Sequence, residues 1–259
     1  MFSITTFSIA LVTASAATAR QFTVYNNCPF TIWPAMFTDM HASAVKPDHP
    51  TGWEQRAYES VSFAVPDQWK AGRIWARRNC DFNSNKPDYE KCLTGGCNGG
   101  LLCDPNTGTG VPPATVAEWT LEGDGYQDWY DVSVVDGYNL PARIDNNKGC
   151  GIPSCPVDLG PLCPRELTQK YLDSNGFPTG CLTACKAGLA ADPANDPYCC
   201  TGRYGTGPAA CPASGVLYYD IFKNNCPNSY VYAYDEPSGT ALWTCDSNLK
   251  ADYTLTFCP

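Results

Sequence analysis

Sixteen cysteines, from Cys28 to Cys258, constrain this 259-residue chain more than any other feature. An even number of cysteines indicates full pairing into disulfides, which form and persist in oxidising compartments. The alternative is zinc, but Cys92, Cys97 and Cys103 are spaced more widely than the tight pairs of zinc modules, and the chain has only two histidines. We therefore predict a disulfide framework and no metal site. Counting alone leaves the connectivity open, because sixteen cysteines allow about two million pairings.

The start of the chain has the features of a secretory signal peptide. Residues 1–19 carry no charged side chain, residues 4–12 form a modest apolar stretch, and Ala17-Thr18-Ala19 fits a small-residue cleavage site. The apolar stretch is too short to span a bilayer. We therefore expect cleavage after Ala19 and a secreted, extracellular protein of residues 20–259 with no stable membrane anchor.

The charge balance narrows the class of partner. Twenty-six acidic residues against 17 basic ones give a net charge of −9 at pH 7, and the densest basic group is only Arg73, Arg77 and Arg78. Binding to nucleic acid or to an anionic membrane surface is therefore not expected. The sequence has no Gly-rich phosphate loop and no dinucleotide fingerprint, so we predict no cofactor. Nothing in it indicates an apolar association patch, and we expect a monomer.

The hydrophobic pattern predicts a mainly β fold. Short segments rich in aromatic and β-branched residues are bounded by Pro, Asn or Gly, which is typical of strands. The predicted strands cover residues 22–26, 30–34, 60–65, 73–77, 115–122, 128–134, 229–234 and 253–257. Many short strands with turn-rich links indicate a β-sandwich or a flattened barrel.

Two of these segments form a predicted hairpin. Residues 115–122 and 128–134 both alternate between apolar and polar side chains, and the Gly-rich residues 123–126 lie between them. We expect Glu122 to face Gln127 across the turn. The two strands are then antiparallel neighbours with a defined register.

This register predicts an acidic pair. Glu118 lies opposite Asp131, whereas Trp119, Tyr130 and Val132 belong to the other, buried face. Directly opposed side chains are about 5 Å apart at Cβ, and like charges at that distance destabilise the sheet. An acidic pair retained at a cost in stability is a candidate functional site.

The second half of the chain differs from the first in composition. Ten of the sixteen cysteines lie between Cys150 and Cys245, among Pro, Gly and Asp, and helices are predicted only at residues 164–172 and 182–191. We expect a single domain with disulfide-rich loop and helix inserts rather than two domains. Its parts are a β-sandwich core at about residues 20–79, 104–149 and 246–259, a small stapled loop at 80–103, and a cysteine-rich region at about 150–245.

Five sequence strings resemble one known family. They are NCPFTIWPA at residues 27–35, GRIWAR at 72–77, VAEWTL at 116–121, DVSVVDGYN at 131–139 and CPNSY at 226–230. Together with the order of the cysteines, they resemble thaumatin-like proteins, the pathogenesis-related family 5, over essentially the whole of residues 20–259. The resemblance implies a flattened β-sandwich, a cysteine-rich second region and a binding cleft between them.

The resemblance also implies a disulfide connectivity of eight bonds. The pairs are Cys28–Cys258, Cys80–Cys92, Cys97–Cys103, Cys150–Cys245, Cys155–Cys226, Cys163–Cys181, Cys185–Cys199 and Cys200–Cys211.

In this family one arginine and four acidic residues line the cleft. Carried over position by position, they are Arg73, Glu118, Asp131, Asp136 and one of the adjacent Asp235 and Glu236. The pattern does not decide between the last two. Trp129, two residues before Asp131 on the same face, has two interpretations: stacking on a sugar ring, or ordinary packing beneath the cysteine-rich region.

Two functional hypotheses follow. Close carboxylates raise one another's pKa, so one stays protonated as an acid while the other is charged, as glycoside hydrolysis requires. The first hypothesis is a cleft that binds β-1,3-glucan, or a related polysaccharide, of fungal-type cell walls, with slow endo-β-1,3-glucanase hydrolysis by Glu118 and Asp131 left open. The alternative is a non-enzymatic antifungal defence protein that perturbs membranes or inhibits foreign hydrolases. A salt-bridged polar face that only orders the sheet would explain the acidic residues without either function.

Overall fold

A computed structural model describes residues 19–259, and all of the predicted signal peptide except Ala19 lies outside the described residues. Two β-sheets contain the eleven strands of the described chain. In chain order the strands are β1 (Ala19–Asn26), β2 (Trp33–Thr38), β3 (Ser60–Pro66), β4 (Gly72–Cys80), β5 (Cys92–Thr94), β6 (Val116–Gly123), β7 (Gln127–Ser133), β8 (Ala142–Asn146), β9 (Ser154–Cys155), β10 (Trp243–Asp246) and β11 (Tyr253–Phe257). The predicted mainly β fold is confirmed.

The strand order defines one five-stranded and one six-stranded sheet. The first runs β3-β1-β11-β8-β9, in which β1 and β11 are parallel and the other neighbours antiparallel. The second runs β10-β7-β6-β4-β2, antiparallel throughout, and β5 pairs with the end of β4. Antiparallel sheets with alternating side chains bury one face and leave the other for solvent or ligands.

Aromatic side chains hold the two sheets together. Phe22 on β1 meets Trp119 on β6 edge to face, with ring centroids 5.1 Å apart. Tyr253 on β11 meets Tyr130 on β7 in the same geometry, also at 5.1 Å. Such pairs add about 0.5–1.5 kcal/mol to the free energy gained by burying apolar area. The buried face of the β6–β7 hairpin is therefore the one that the alternation predicts.

The predicted hairpin register is confirmed in the strands and wrong at the turn. Glu118 pairs with Asp131, as expected. Gly123, not Glu122, pairs with Gln127, because a β-bulge adds one residue between Thr120 and Gly123. Glu122 takes a φ of 47° in this bulge. A bulge inserts one residue into one strand, so the register differs by one residue between its two sides.

The helix predictions for the cysteine-rich region are mostly wrong. Helix α1 covers only Arg165–Thr168 of the predicted 164–172, and residues 182–191 form turns rather than a helix. A second helix of the cysteine-rich region, α2 (Tyr219–Asn225), was not predicted. Disulfides at short intervals along this region fix the backbone more strongly than helix propensity does.

Two strand predictions also need correction. Residues 229–234 do not form a strand: Tyr230 makes a single bridge to Ser133, after which the chain turns so that the Asp235 carboxylate accepts the Val231 N–H at 3.0 Å. The strand predicted at 30–34 begins at Trp33 instead. The strands β5, β8, β9 and β10 were not predicted either; of these, β5, β9 and β10 have only two to four residues.

Eight disulfides join the sixteen cysteines, in the pairs that the family resemblance implies. Cys28, after β1, is bonded to Cys258, after β11, across 230 residues of sequence. In the loop-entropy model a bond of that span contributes about 5 kcal/mol. Cys245 lies on β10 and Cys155 on β9, so the bonds Cys150–Cys245 and Cys155–Cys226 attach loops of the cysteine-rich region to an edge strand of each sheet. Within residues 19–259 no helix has the length and apolar character needed to cross a membrane.

Candidate functional site

A row of four side chains crosses the outer face of the six-stranded sheet. In the ladder Phe37 pairs with Arg73, Arg73 with Glu118, and Glu118 with Asp131. Directly paired residues project their side chains to the same side of a sheet. Since their strand neighbours face the core, these four face outward. The sheet register alone thus brings one cation and two carboxylates of the predicted set together.

This row forms the floor of a groove of about 430 Å³, referred to below as the acidic groove. Four of the predicted residues line it: Arg73, Glu118, Trp129 and Asp131. The Trp129 indole N–H donates to the carbonyl oxygen of Asp124 at 3.1 Å, which holds the half-buried ring at the side of the groove. Its position is compatible with stacking on a ligand ring.

A chain of ion pairs leads from the groove to two residues outside its lining, Asp136 and Lys186. Arg73 Nη2 lies 2.9 Å from Glu118 Oε1, and Arg73 Nη1 lies 3.9 Å from Asp136 Oδ2. Asp136 Oδ1 is in turn 2.8 Å from Lys186 Nζ. All four side chains are about one third exposed. Lys186 lies in the cysteine-rich region. It was not predicted from the sequence, because it belongs to no recognisable motif.

Asp131 is the most unusual group in the groove. Only 8% of the residue is exposed, and its Oδ1 atom has no hydrogen-bond partner among the described residues. Burial raises the pKa of Asp131 well above its usual range, and the neighbouring Glu118 charge raises it further, while Arg73 opposes the shift. The protonated form of Asp131 is therefore favoured.

Glu118 is held differently. Burial raises its pKa too, and Asp136 adds to the shift, but the Arg73 guanidinium both hydrogen-bonds and electrostatically stabilises the carboxylate. Of the two, Glu118 has the direct cationic partner and Asp131 does not. The pair therefore divides into a proton-holding carboxyl and an ion-paired carboxylate, the combination that general acid catalysis of glycoside cleavage uses.

Asp235 is not brought to the groove. It is 1% exposed and accepts hydrogen bonds from the Tyr219 hydroxyl at 2.8 Å, Lys223 Nζ at 2.9 Å and the Val231 N–H at 3.0 Å. This buried, fully bonded carboxylate holds α2 against the chain that follows it. Its partners give it a structural role inside the cysteine-rich region.

Glu236 is the exposed member of that adjacent pair. It accepts a hydrogen bond from the Tyr230 hydroxyl. Burial raises the pKa of Tyr230, and the charges of Glu236, Asp131 and Asp235 raise it further, so this phenol stays protonated. Tyr230 was missed from the sequence, although it lies in the CPNSY string. Within residues 19–259 no group of three metal-ligating side chains is placed to hold an ion.

Comparisons with known proteins define the family. Residues 26–259 match the model of the Thaumatin family. Thaumatin-like protein 1 of Pyrus pyrifolia is 40% identical over 245 residues, covering 93% of this chain and 91% of that protein. A protein of Prunus avium named Glucan endo-1,3-beta-glucosidase is 37% identical over 258 residues, covering 97% and 96%. The chain belongs to the thaumatin family.

A solved structure shares the fold at much lower sequence identity. It is the laminaripentaose-producing β-1,3-glucanase of glycoside hydrolase family 64 from Paenibacillus barengoltzii, in complex with laminarihexaose. The TM-score is 0.51 at 14% identity, over 99% of this chain and 80% of that one. At that identity the likeness concerns the fold.

Proposed function

We propose that the acidic groove binds β-1,3-glucan of fungal-type cell walls. The observation that carries this proposal is Asp131, a residue of the groove lining whose buried Oδ1 atom has no hydrogen-bond partner among the described residues. A buried polar atom without a hydrogen bond costs about 1–3 kcal/mol. A sugar hydroxyl in the groove would satisfy it and remove that cost.

The rest of the groove suits a carbohydrate. Sugar rings present alternating hydroxyl groups and an apolar face. The Arg73–Glu118 pair offers donors and acceptors to the hydroxyls, and the Trp129 ring offers a surface to the apolar face. The Prunus avium relative, similar over nearly its whole length, has a name that specifies a β-1,3-glucan substrate, and this supports the choice of polymer.

We propose slow hydrolysis as the reaction that the pair supports. Asp131, the carboxyl favoured in its protonated form, donates its proton to the glycosidic oxygen as the glycosidic bond breaks. Glu118, whose carboxylate is paired with Arg73, stabilises the positive charge that develops on the sugar, and a water molecule then bonds to the sugar carbon and returns a proton to Asp131. Loss of either role removes cleavage, and Glu118→Gln removes the charge without changing the size of the side chain.

Two assays on the same proteins separate binding from cleavage: sedimentation with insoluble β-1,3-glucan, and release of reducing ends from a linear glucan. We expect Glu118→Gln and Asp131→Asn to weaken binding and abolish release. Glu54→Gln is the matched control, because that carboxylate is more than half exposed and outside the groove. Binding without release would leave a non-enzymatic defence protein. A wild type that neither binds nor cleaves contradicts the proposal.

We also propose that the protein is exported as one domain beginning at Arg20. The eight disulfides support an oxidising destination. The Arg20 side chain is buried between Asp67 and Asp128, so the residue after the proposed cleavage point is already part of the fold. Mass spectrometry of the secreted product tests this, since a mature N-terminus beyond Arg20 would contradict it.

A further inference from the structure

A second cavity, of about 300 Å³, lies in the cysteine-rich region. It shares no lining residue with the acidic groove. Tyr219 and Phe222, one helical turn apart on α2, form one wall, and Val231 and Tyr232 form another. The Cys185–Cys199 disulfide also lines the cavity and fixes the adjoining loops. These are the walls of a preformed, largely apolar pocket.

Two of the polar groups that line this cavity are already hydrogen-bonded within the protein. The Tyr219 hydroxyl donates to Asp235 at 2.8 Å, and the Thr183 hydroxyl donates to the Val135 carbonyl oxygen at 3.1 Å. The Tyr219 and Tyr232 rings meet edge to face at 5.6 Å, so each restricts the other. Water gains little in a cavity whose walls offer few free partners. The pocket therefore favours an apolar occupant with flat rings.

One cation lies at the cavity. Lys186 is the only charged side chain that lines it within the described chain. Its partner Asp136 and Lys186 itself are each about one third exposed. An ion pair that exposed contributes about 0.2–1 kcal/mol to stability. The Lys186 ammonium group can therefore pair with a ligand anion instead of Asp136 with little loss of stability.

We propose that this pocket binds a small aromatic carboxylate, with the rings among the apolar walls and the carboxylate at Lys186. The volume sets the size. A cavity of about 150 Å³ holds benzene, so about 300 Å³ accommodates two fused rings. The single cation sets the charge, since an anionic group complements Lys186 and a cationic one does not.

Isothermal titration with 2-naphthoate tests this on the full secreted protein. We expect saturable binding at one site, and weaker binding of the neutral isostere 2-naphthamide. Ala233→Trp places a large ring at an exposed lining position and should abolish binding. Lys186→Met keeps the length of the side chain and should weaken 2-naphthoate by up to about fivefold, without affecting 2-naphthamide.

Two controls make the test decisive. Ala191→Trp introduces the same ring at an exposed alanine away from the cavity and should bind like the wild type. Glu118→Gln should also bind 2-naphthoate normally, so failure of the glucan proposal would leave this one intact. The proposal is overturned if 2-naphthoate does not bind, if Ala233→Trp, folded by its melting temperature, still binds it, or if the amide binds equally well.

Discussion

Strand β7 contains two buried aspartates, Asp128 and Asp131. They lie on opposite faces of the strand, and their carboxyl groups have opposite environments. Asp128 faces the space between the sheets and is 0% exposed. It forms an ion pair with Arg20 and accepts hydrogen bonds from the Ser247 hydroxyl at 2.8 Å and the Tyr253 hydroxyl at 2.9 Å. Both oxygens of the Asp128 carboxylate therefore have ion-pair or hydrogen-bond partners.

Asp131, three residues later, faces the acidic groove with one oxygen unpartnered and with the like charge of Glu118 directly across the ladder. A carboxylate in that setting lowers the stability of the fold instead of raising it. The contrast shows that burial by itself does not identify a functional acid. The distinguishing feature is burial without compensation, and it occurs on the face that a ligand can reach.

The largest expected change in stability comes from a substitution on the inner face of β7. Asp128→Asn leaves the Arg20 guanidinium buried without that countercharge, and breaking a buried ion pair in this way costs about 3–5 kcal/mol. Denaturant unfolding of the oxidised protein measures the loss. A cost below about 1 kcal/mol would mean that Asp67 alone compensates Arg20, and the contrast between the two faces would fail.

The same substitution on the outer face should have the opposite sign. Asp131→Asn removes a carboxyl whose ionisation directly opposite Glu118 is unfavourable, and we expect about 1 kcal/mol of added stability at a pH high enough to ionise Asp131 in the folded protein. It serves as the matched control for Asp128→Asn, because both change an aspartate on one strand. Destabilisation by Asp131→Asn would indicate that this carboxylate is compensated after all.

The pH dependence sharpens the comparison further. Burial raises the pKa of Asp131 in the folded protein, so the folded state binds more protons than the unfolded state above about pH 4, the usual carboxyl range. The free energy of unfolding therefore falls as the pH rises through that window. Melting temperatures between about pH 4 and pH 8 should decline less in Asp131→Asn than in the wild type. Parallel curves would contradict a raised pKa.

Much of the site could be predicted from local sequence. Alternation in β6 and β7, together with an assumed Glu122–Gln127 pair at the turn, placed Glu118 opposite Asp131, where the structure has it. The bulge at Glu122 was not predictable, since it depends on a backbone conformation that no residue type signals there. The bulge shifts the register by one residue between the turn and the strands, so the acidic pair follows the expected register although the pair at the turn does not.

The parts that escaped prediction depend on contacts distant in sequence. Lys186 and Tyr230 come from a region whose path is fixed by disulfides, and no local pattern indicates that Lys186 pairs with Asp136 or that Tyr230 lies near the acidic side chains. Asp235 and Glu236 are adjacent and chemically alike, and only the position of α2 decides that Asp235 is buried. In such a region the cross-links and tertiary contacts, rather than propensity, determine the fold.

The smallest expected effect compares two ion pairs instead of two aspartates. Lys186→Met removes an outer-face pair whose side chains are about one third exposed, and we expect a loss of stability below about 1 kcal/mol, reduced further by salt. Lys223→Met is the matched control, because Lys223 pairs with the buried Asp235 and should cost several times more. Unfolding in low and high salt measures both. Equal losses of stability for the two variants would show that exposure does not govern the strength of these ion pairs.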